Sequence, residues 1–280
     1  MSILIIDPST SGAAGDLLVA ALLNTQKESF RDEFCKLFQR TMCNFDPDFE
    51  IRHTIVPKKG FEGSQIRTVA KKKFSPDKLL HIIKEVSNQL TLSLKTQEMA
   101  IKTLELLIAV EKHVHGIKSS NELHFHELAT IDTIFDIVGF FYLFDYLDLH
   151  NNIIYILPIA VGGGKINISH GIVTVPTPAT LEIIRRGQLI IKGGPIEGEL
   201  LTPTGASILT SLKATPIEFI PVIQINSIGR SFGTREYSGN FVGSFRIIMG
   251  TQPSMMINEE INILETNIAA NMSLYSFFIK

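Results

Sequence analysis

The chain has 280 residues, a hydrophobic content of 45%, a charged content of 19% and a formal net charge of −2. Such a chain folds and buries a core without needing disulfides, and its near-neutral balance argues against nucleic acid or an anionic membrane as a partner. Its two cysteines, Cys35 and Cys43, form no C-x-x-C pair. They read as packed, reduced thiols of a cytoplasmic protein, and two thiolates cannot build a four-cysteine metal cage.

No basic stretch precedes the first apolar run, so no signal peptide is expected. Residues 3–6 form that run, end at Asp7-Pro8 and read as a buried strand. A small-residue turn over residues 9–15 leads into an apolar helix over 17–23. Strands are expected at 51–56 and 65–69, on either side of a turn at Lys58-Lys59-Gly60. The basic cluster Lys71-Lys72-Lys73 reads as a solvated loop or strand edge.

Pro76 opens a helix with Leu79, Ile82, Ile83, Val86 and Leu90 at helical spacing. A longer helix spans 92–114 and stops at Gly116. A third covers 131–147. Its surroundings carry Asp132, Asp136, Asp145 and Asp148, which rule out a membrane span and point to a buried helix.

Beyond residue 150 the pattern turns to strands, expected at 153–159, 166–175, 217–225, 241–249 and 261–268, with a tight loop at Gly162-Gly163-Gly164. Thr177-Pro178 and Thr202-Pro203 each open a short helix, with threonine as cap and proline in the first turn. The expected fold class is α/β, a mixed sheet with a helical segment around 75–150. We read residues 1–280 as one unit with a soft boundary near residue 150.

Histidines are the most informative chemistry. Four of the eight lie in His113-Val-His115 and His124-Phe-His126-Glu127. In an extended segment residues i and i+2 share a side, so His124 and His126 would present two imidazoles together. Glu127 stands beside them, and Asp132 and Asp136 follow one helical turn apart. Imidazole with carboxylate suits divalent Zn, Ni or Co. The plain alternative is that His113 and His115 complement a helix C-terminus and Asp132 a helix start.

A second group is Asp7, Ser11, Gly12, Gly15 and Asp16, a small-residue loop between strand and helix that aims backbone N–H groups at an anion. It lacks the lysine of a P-loop and the spacing of a dinucleotide fingerprint. Asp16 would repel a phosphate unless a cation lay between. The third group is Gly162, Gly164, His170, Thr202 and Thr204, turn and cap residues that either approach a ligand or simply end helices. No nucleophile elbow is present.

Together these segments are specific. The stretch from His124 to Gly139, His-Phe-His-Glu-Leu-Ala-Thr-Ile-Asp-Thr-Ile-Phe-Asp-Ile-Val-Gly, resembles a signature of the LarC-type nickel-insertion proteins. Ser11 to Asp16, Val114 to Gly116, His170-Gly171, Val175 to Glu182, Glu199 to Ala206, Gly229 to Arg235 and Leu264 to Asn267 resemble that family's other motifs, in order.

The resemblance implies a nickel chelatase of the lyase class. It would insert Ni²⁺ into pyridinium-3,5-bisthiocarboxylic acid mononucleotide, giving the nickel-pincer cofactor of lactate racemase-like enzymes. It also implies CTP, with Mn²⁺ or Mg²⁺, handled by a C-terminal domain. That domain is not found in these 280 residues, so a separately encoded partner is expected to supply it. His115, His124, His126, Glu127, Asp132 and Asp136 are then the expected metal set, and the second and third groups the nucleotide set. The alternatives are a non-catalytic nickel carrier and a metal-dependent phosphohydrolase built on Asp7, Asp16 and the histidines.

Overall fold

The computed structural model describes residues 1–117, 129–237 and 240–253. In chain order the first elements are β1 (Ser2–Asp7), α1 (Gly15–Asn24), α2 (Glu28–Cys43), β2 (Glu50–Lys58), β3 (Phe61–Val69), α3 (Pro76–Gln89) and α4 (Leu94–Val114). Then come α5 (Ile131–Tyr146), β4 (Ile153–Ile156), β5 (Ile159–Ala160), β6 (Gly162–Gly163), β7 (Lys165–Ile168) and β8 (Gly171–Thr174). The series closes with α6 (Pro178–Gly187), β9 (Ile191–Lys192), β10 (Gly198–Glu199), α7 (Pro203–Leu212), β11 (Thr215–Pro216), β12 (Gln224–Phe232) and β13 (Ser244–Thr251).

Seven strands form one sheet in the order β11-β4-β1-β13-β12-β3-β2. β4 and β11 run parallel to β1 and to each other, whereas β13 is antiparallel to both its neighbours, β1 and β12. β3 continues parallel to β12, and β2 closes the edge as a hairpin with β3. The α/β class and the mixed sheet are thus as the sequence pattern indicated. β4 follows residue 150 yet pairs with β1, so the sheet draws strands from both sides of that point.

β1 is apolar from Ile3 to Ile6, all buried, because it lies inside the sheet. Two helices are apolar nearly all round for the same reason. α1 is buried from Leu17 to Leu23, and α5 buries eleven of its sixteen residues. α1 packs on the sheet through β12 and β3 and meets α5 on its other side. A helix covered on both faces has no polar stripe to show.

α2 closes the core with one face only, through Phe34, Phe38, Thr41 and Met42. Phe38 meets Phe135 of α5 edge to face, with centroids 5.4 Å apart and planes at 87°. The sequence pattern indicates no element at residues 28–43, where polar and charged residues on the rest of the helix dilute the apolar signal.

Elsewhere the expected strands moved. Residues 166–175 are not one strand but the hairpin β7–β8, turning at Ser169-His170. Both arms keep the period-two pattern, so the alternation was real but its continuity was not. Within 217–225 the ladder begins only at Gln224, because Pro221 lacks the N–H that a central strand must donate. The expected strand at 241–249 begins at Ser244, and the one at 261–268 lies outside the described residues.

Candidate metal and nucleotide site

The site grows from the carboxyl end of β1, where an α/β sheet commonly receives its ligand. From there the loop Pro8–Ala14 climbs to α1. The loop is stitched rather than free. Gly12 donates its N–H to Pro8 at 3.0 Å, Ala13 donates to Leu200 at 3.1 Å, and Thr202 donates to Ala13 at 3.0 Å. At Gly12 φ is +66°, and a Cβ there would strike the Leu200 carbonyl oxygen. Ser11 is buried, its hydroxyl turned to the Gly12 carbonyl at 3.0 Å.

The same stitching brings α7 in. Its cap, Thr202, accepts from the Gly205 N–H at 3.2 Å, and buried Thr204 lies in its first turn. The N-termini of α1 and α7 therefore adjoin on either side of the Ala13–Leu201 bridge.

α5 supplies the acids. Thr130 caps it and Asp132 sits in its first turn, accepting the Thr130 hydroxyl. One turn on, Asp136 lies directly over Gly15, so that any Cβ at Gly15 would collide with the Asp136 side chain. The open face of Gly15, expected to admit an anion, is filled by a carboxylate.

Asp16 follows immediately and turns one carboxylate oxygen to the Leu17 N–H at 2.8 Å. Burial pushes the Asp16 pKa up to about 6, against the lowering pull of that N–H. Asp136 is pushed well above the usual carboxylate range, first by burial, then by Asp16 and then by Asp132. Among the described residues neither Asp16 nor Asp136 has a salt-bridge partner.

Asp7 is different. Its buried carboxylate is held by the Arg246 guanidinium across the β1–β13 ladder, with Nε at 2.9 Å, and by the Ser9 hydroxyl at 2.5 Å. Asp7 organises the loop from below and has little left to offer a ligand.

Asp16 also faces a cavity of about 190 Å³ with Ser11, Thr202, Glu199, Lys58, Arg235 and Tyr237. Glu199 accepts the Thr177 hydroxyl at 3.2 Å through its carboxylate, and its carbonyl accepts the Tyr237 hydroxyl at 3.0 Å. Gly162 and Gly163 flank this wall by pairing with Glu199 and Gly198, and Gly164 lies beside the Glu197 side chain.

His115 caps α4 and pairs with Glu111 at 3.3 Å. His170, at the tip of the β7–β8 hairpin, brings its ring to 4.8 Å from the His115 ring. The metal set and the nucleotide set thus meet at this pair, which sequence alone had assigned to different roles. His124, His126 and Glu127 lie outside the described residues. Among the described residues no group of three or more His, Cys, Asp or Glu side chains is arranged to hold a metal ion.

Lys58, Glu199, Arg235, Tyr237 and Arg246 were not in the expected site. They come from strands and loops far apart in the chain, and nothing local marks them. The only available signal was that Glu199 and Arg235 fall inside the quoted motifs.

A family model described as "Nickel insertion protein" matches residues 4–272. The chain belongs to the nickel insertion protein family. A protein of Methanosphaera stadtmanae, named provisionally as a nickel insertion protein, is 31% identical over 272 residues, covering 95% of this chain and 64% of that one. Proteins with the same name from Methanothermobacter thermautotrophicus and Methanothrix thermoacetophila are 29% and 33% identical, over 94% and 96% of this chain. This nickel insertion family member spans 62–64% of the length of these three relatives. No solved structure matches it. Among its described residues no helix is long and apolar enough to cross a membrane.

Proposed function

We propose that this chain takes up Ni²⁺ and passes it to pyridinium-3,5-bisthiocarboxylic acid mononucleotide, forming the nickel-pincer cofactor. The observation that carries the reading is the contact between the N-terminus of α1 and Asp136. Two carboxylates from different helices, Asp16 and Asp136, converge there with Asp132 one turn away. Half-buried acids that repel one another favour a proton or a cation between them. A divalent ion supplies that charge, and α5 is entered directly from the segment that carries His124, His126 and Glu127.

In this reading the imidazoles and carboxylates hold nickel as cargo with labile positions, and the thiocarboxylates of the nucleotide then replace them. His115, whose ring lies 4.8 Å from that of His170, precedes the same segment in the chain. CTP with Mg²⁺ or Mn²⁺ is assigned to the part of the relatives' length that this chain does not span. The reduced thiols Cys35 and Cys43 fit a cytoplasmic setting, and burial pushes the Cys35 pKa up to about 11.

The carrier reading needs only the metal set. The phosphohydrolase reading needs Asp7 as a metal ligand, and Arg246 and Ser9 already occupy that carboxylate. The deciding experiment mixes nickel-loaded protein with the pincer nucleotide anaerobically, with and without CTP and a relative's C-terminal domain. New metal–thiocarboxylate absorption on addition of that domain is the expected result. Nickel that stays on the protein under every condition would overturn insertion and favour the carrier. A His124→Ala/His126→Ala double variant that folds and still binds nickel at full stoichiometry would remove the proposed metal set.

A further inference from the structure

A second cavity adjoins the one that contains Asp16, sharing Phe241 and Gly243 with it. It has a volume of about 350 Å³, and its walls include Thr10, Phe61, Arg230, Phe241, Ser244 and Arg246. Arg230 on β12 and Arg246 on β13 are direct register partners. Partners in an antiparallel ladder point to the same face of the sheet, and like charges placed so are destabilising.

One of the two charges is answered. Asp7 takes Arg246, as described above. Among the described residues the Arg230 guanidinium keeps neutral company, the Glu62 carbonyl at 3.3 Å and the Phe61 ring at 5.4 Å. Ser244 also lines this cavity, and its hydroxyl, shut off from solvent, has no hydrogen-bond partner among the described residues. Buried hydroxyls are normally satisfied, so this one has a bond to give to an acceptor once a rotamer change turns it outward. Thr10 closes the rim by donating to the Ser244 carbonyl at 3.3 Å.

We propose that this cavity is an anion subsite that holds the phosphate monoester of a mononucleotide. Arg230 and Arg246 would share the phosphate oxygens, and Ser244 would donate to one of them. Phe61 and Phe241 form aromatic walls of the kind on which a planar ring stacks. Phe241 also lines the cavity that contains Asp16, so one extended ligand can keep its phosphate at the arginines and its metal-binding end toward the acids. The choice of a mononucleotide over other phosphates rests on the function proposed above; the anion subsite itself does not.

The test is calorimetric titration of the full chain with nicotinic acid mononucleotide, its dephosphorylated riboside and inorganic phosphate, with nickel titrated into the same samples. The mononucleotide should bind at least about tenfold more tightly than either fragment, as charge-assisted contacts to phosphate require. R230Q should lose about tenfold or more of that affinity, R230K should lose part of it because an ammonium cannot make the two-pronged contact, and S244A should lose severalfold. Nickel stoichiometry should be unchanged in all three, each of which must melt as the parent does.

Equal affinity for mononucleotide and riboside, or an unchanged R230Q and S244A, would overturn the subsite. Inorganic phosphate binding as tightly as the mononucleotide would overturn its assignment to a nucleotide. If phosphate-dependent nucleotide binding holds while the parent chain takes up no nickel, the nickel reading fails and the subsite stands.

Discussion

The two recesses beside the β1–α1 loop are opposites. On one side Asp16 and Asp136 crowd together with their pKa values raised. On the other Arg230 and Arg246 sit opposite each other across a ladder, with Asp7 between the loop and Arg246. Each side carries an unfavourable pairing of like charge that the fold holds in place. Structures keep such pairings where a ligand of the other sign completes them. Two acids and two arginines thus border adjoining recesses, the arrangement that the function proposed above requires of a protein joining a metal to an anionic nucleotide.

The largest effect should come from removing one acid. Asp136→Asn keeps the shape packed over Gly15 but deletes a charge. We expect nickel affinity to fall by about a hundredfold or more, the scale set by losing a buried charged contact. The metal-free variant should melt roughly 2–4 °C higher than the parent at pH 8, the shift that about 1 kcal/mol gives in a chain of this size. Calorimetry with nickel and thermal melts in chelator would check both. A variant that binds nickel normally would break the contrast between the two recesses.

pH should sharpen it. The folded pKa of Asp16 is above its unfolded value, so the folded metal-free chain binds the extra proton. Its stability should therefore decline as pH rises from about 4 through about 6. Nickel competes with that proton, so nickel affinity should rise across the same interval and go on rising while Asp136 titrates. Binding of the mononucleotide to the arginine side should stay nearly flat over pH 6.5 to 8. Nickel affinity independent of pH between 5 and 7 would contradict the role given to the acids.

A smaller effect is expected at the wall shared by loop and helix. Thr202→Ala removes the α7 cap to Gly205. It should cost about 1 kcal/mol of stability, read by denaturant melts, and weaken either ligand by less than a few-fold. A loss confined to ligand binding with no change in stability would move Thr202 from scaffold to contact residue.

Much of this was legible in the chain itself. The buried strand before Asp7, the small-residue loop, the Thr-Pro helix starts and the helix carrying Asp132 and Asp136 all follow from local rules of period, capping and turn chemistry. The motif resemblance placed the chain in its family for the same reason, since those motifs are contiguous stretches. Where the sequence reading slipped, a local signal was ambiguous. Period-two alternation over residues 166–175 fits one strand or two arms of a hairpin, and the polar outer face of α2 masked its apolar stripe.

Tertiary structure alone decided the sign of each recess. Asp136 reaches Gly15 only because α1 and α5 pack face to face, which puts two acids 120 residues apart into one half-buried corner. Arg230 meets Arg246 only through the β12–β13 register, and Arg246 meets Asp7 only because β13 inserts beside β1. Sequence separation hides all three pairings, while charge interactions depend on distance in space and on burial. The acids Asp132 and Asp136 and the loop residue Asp16 could be named from the chain; the arginines could not, and which charges face one another was set by packing.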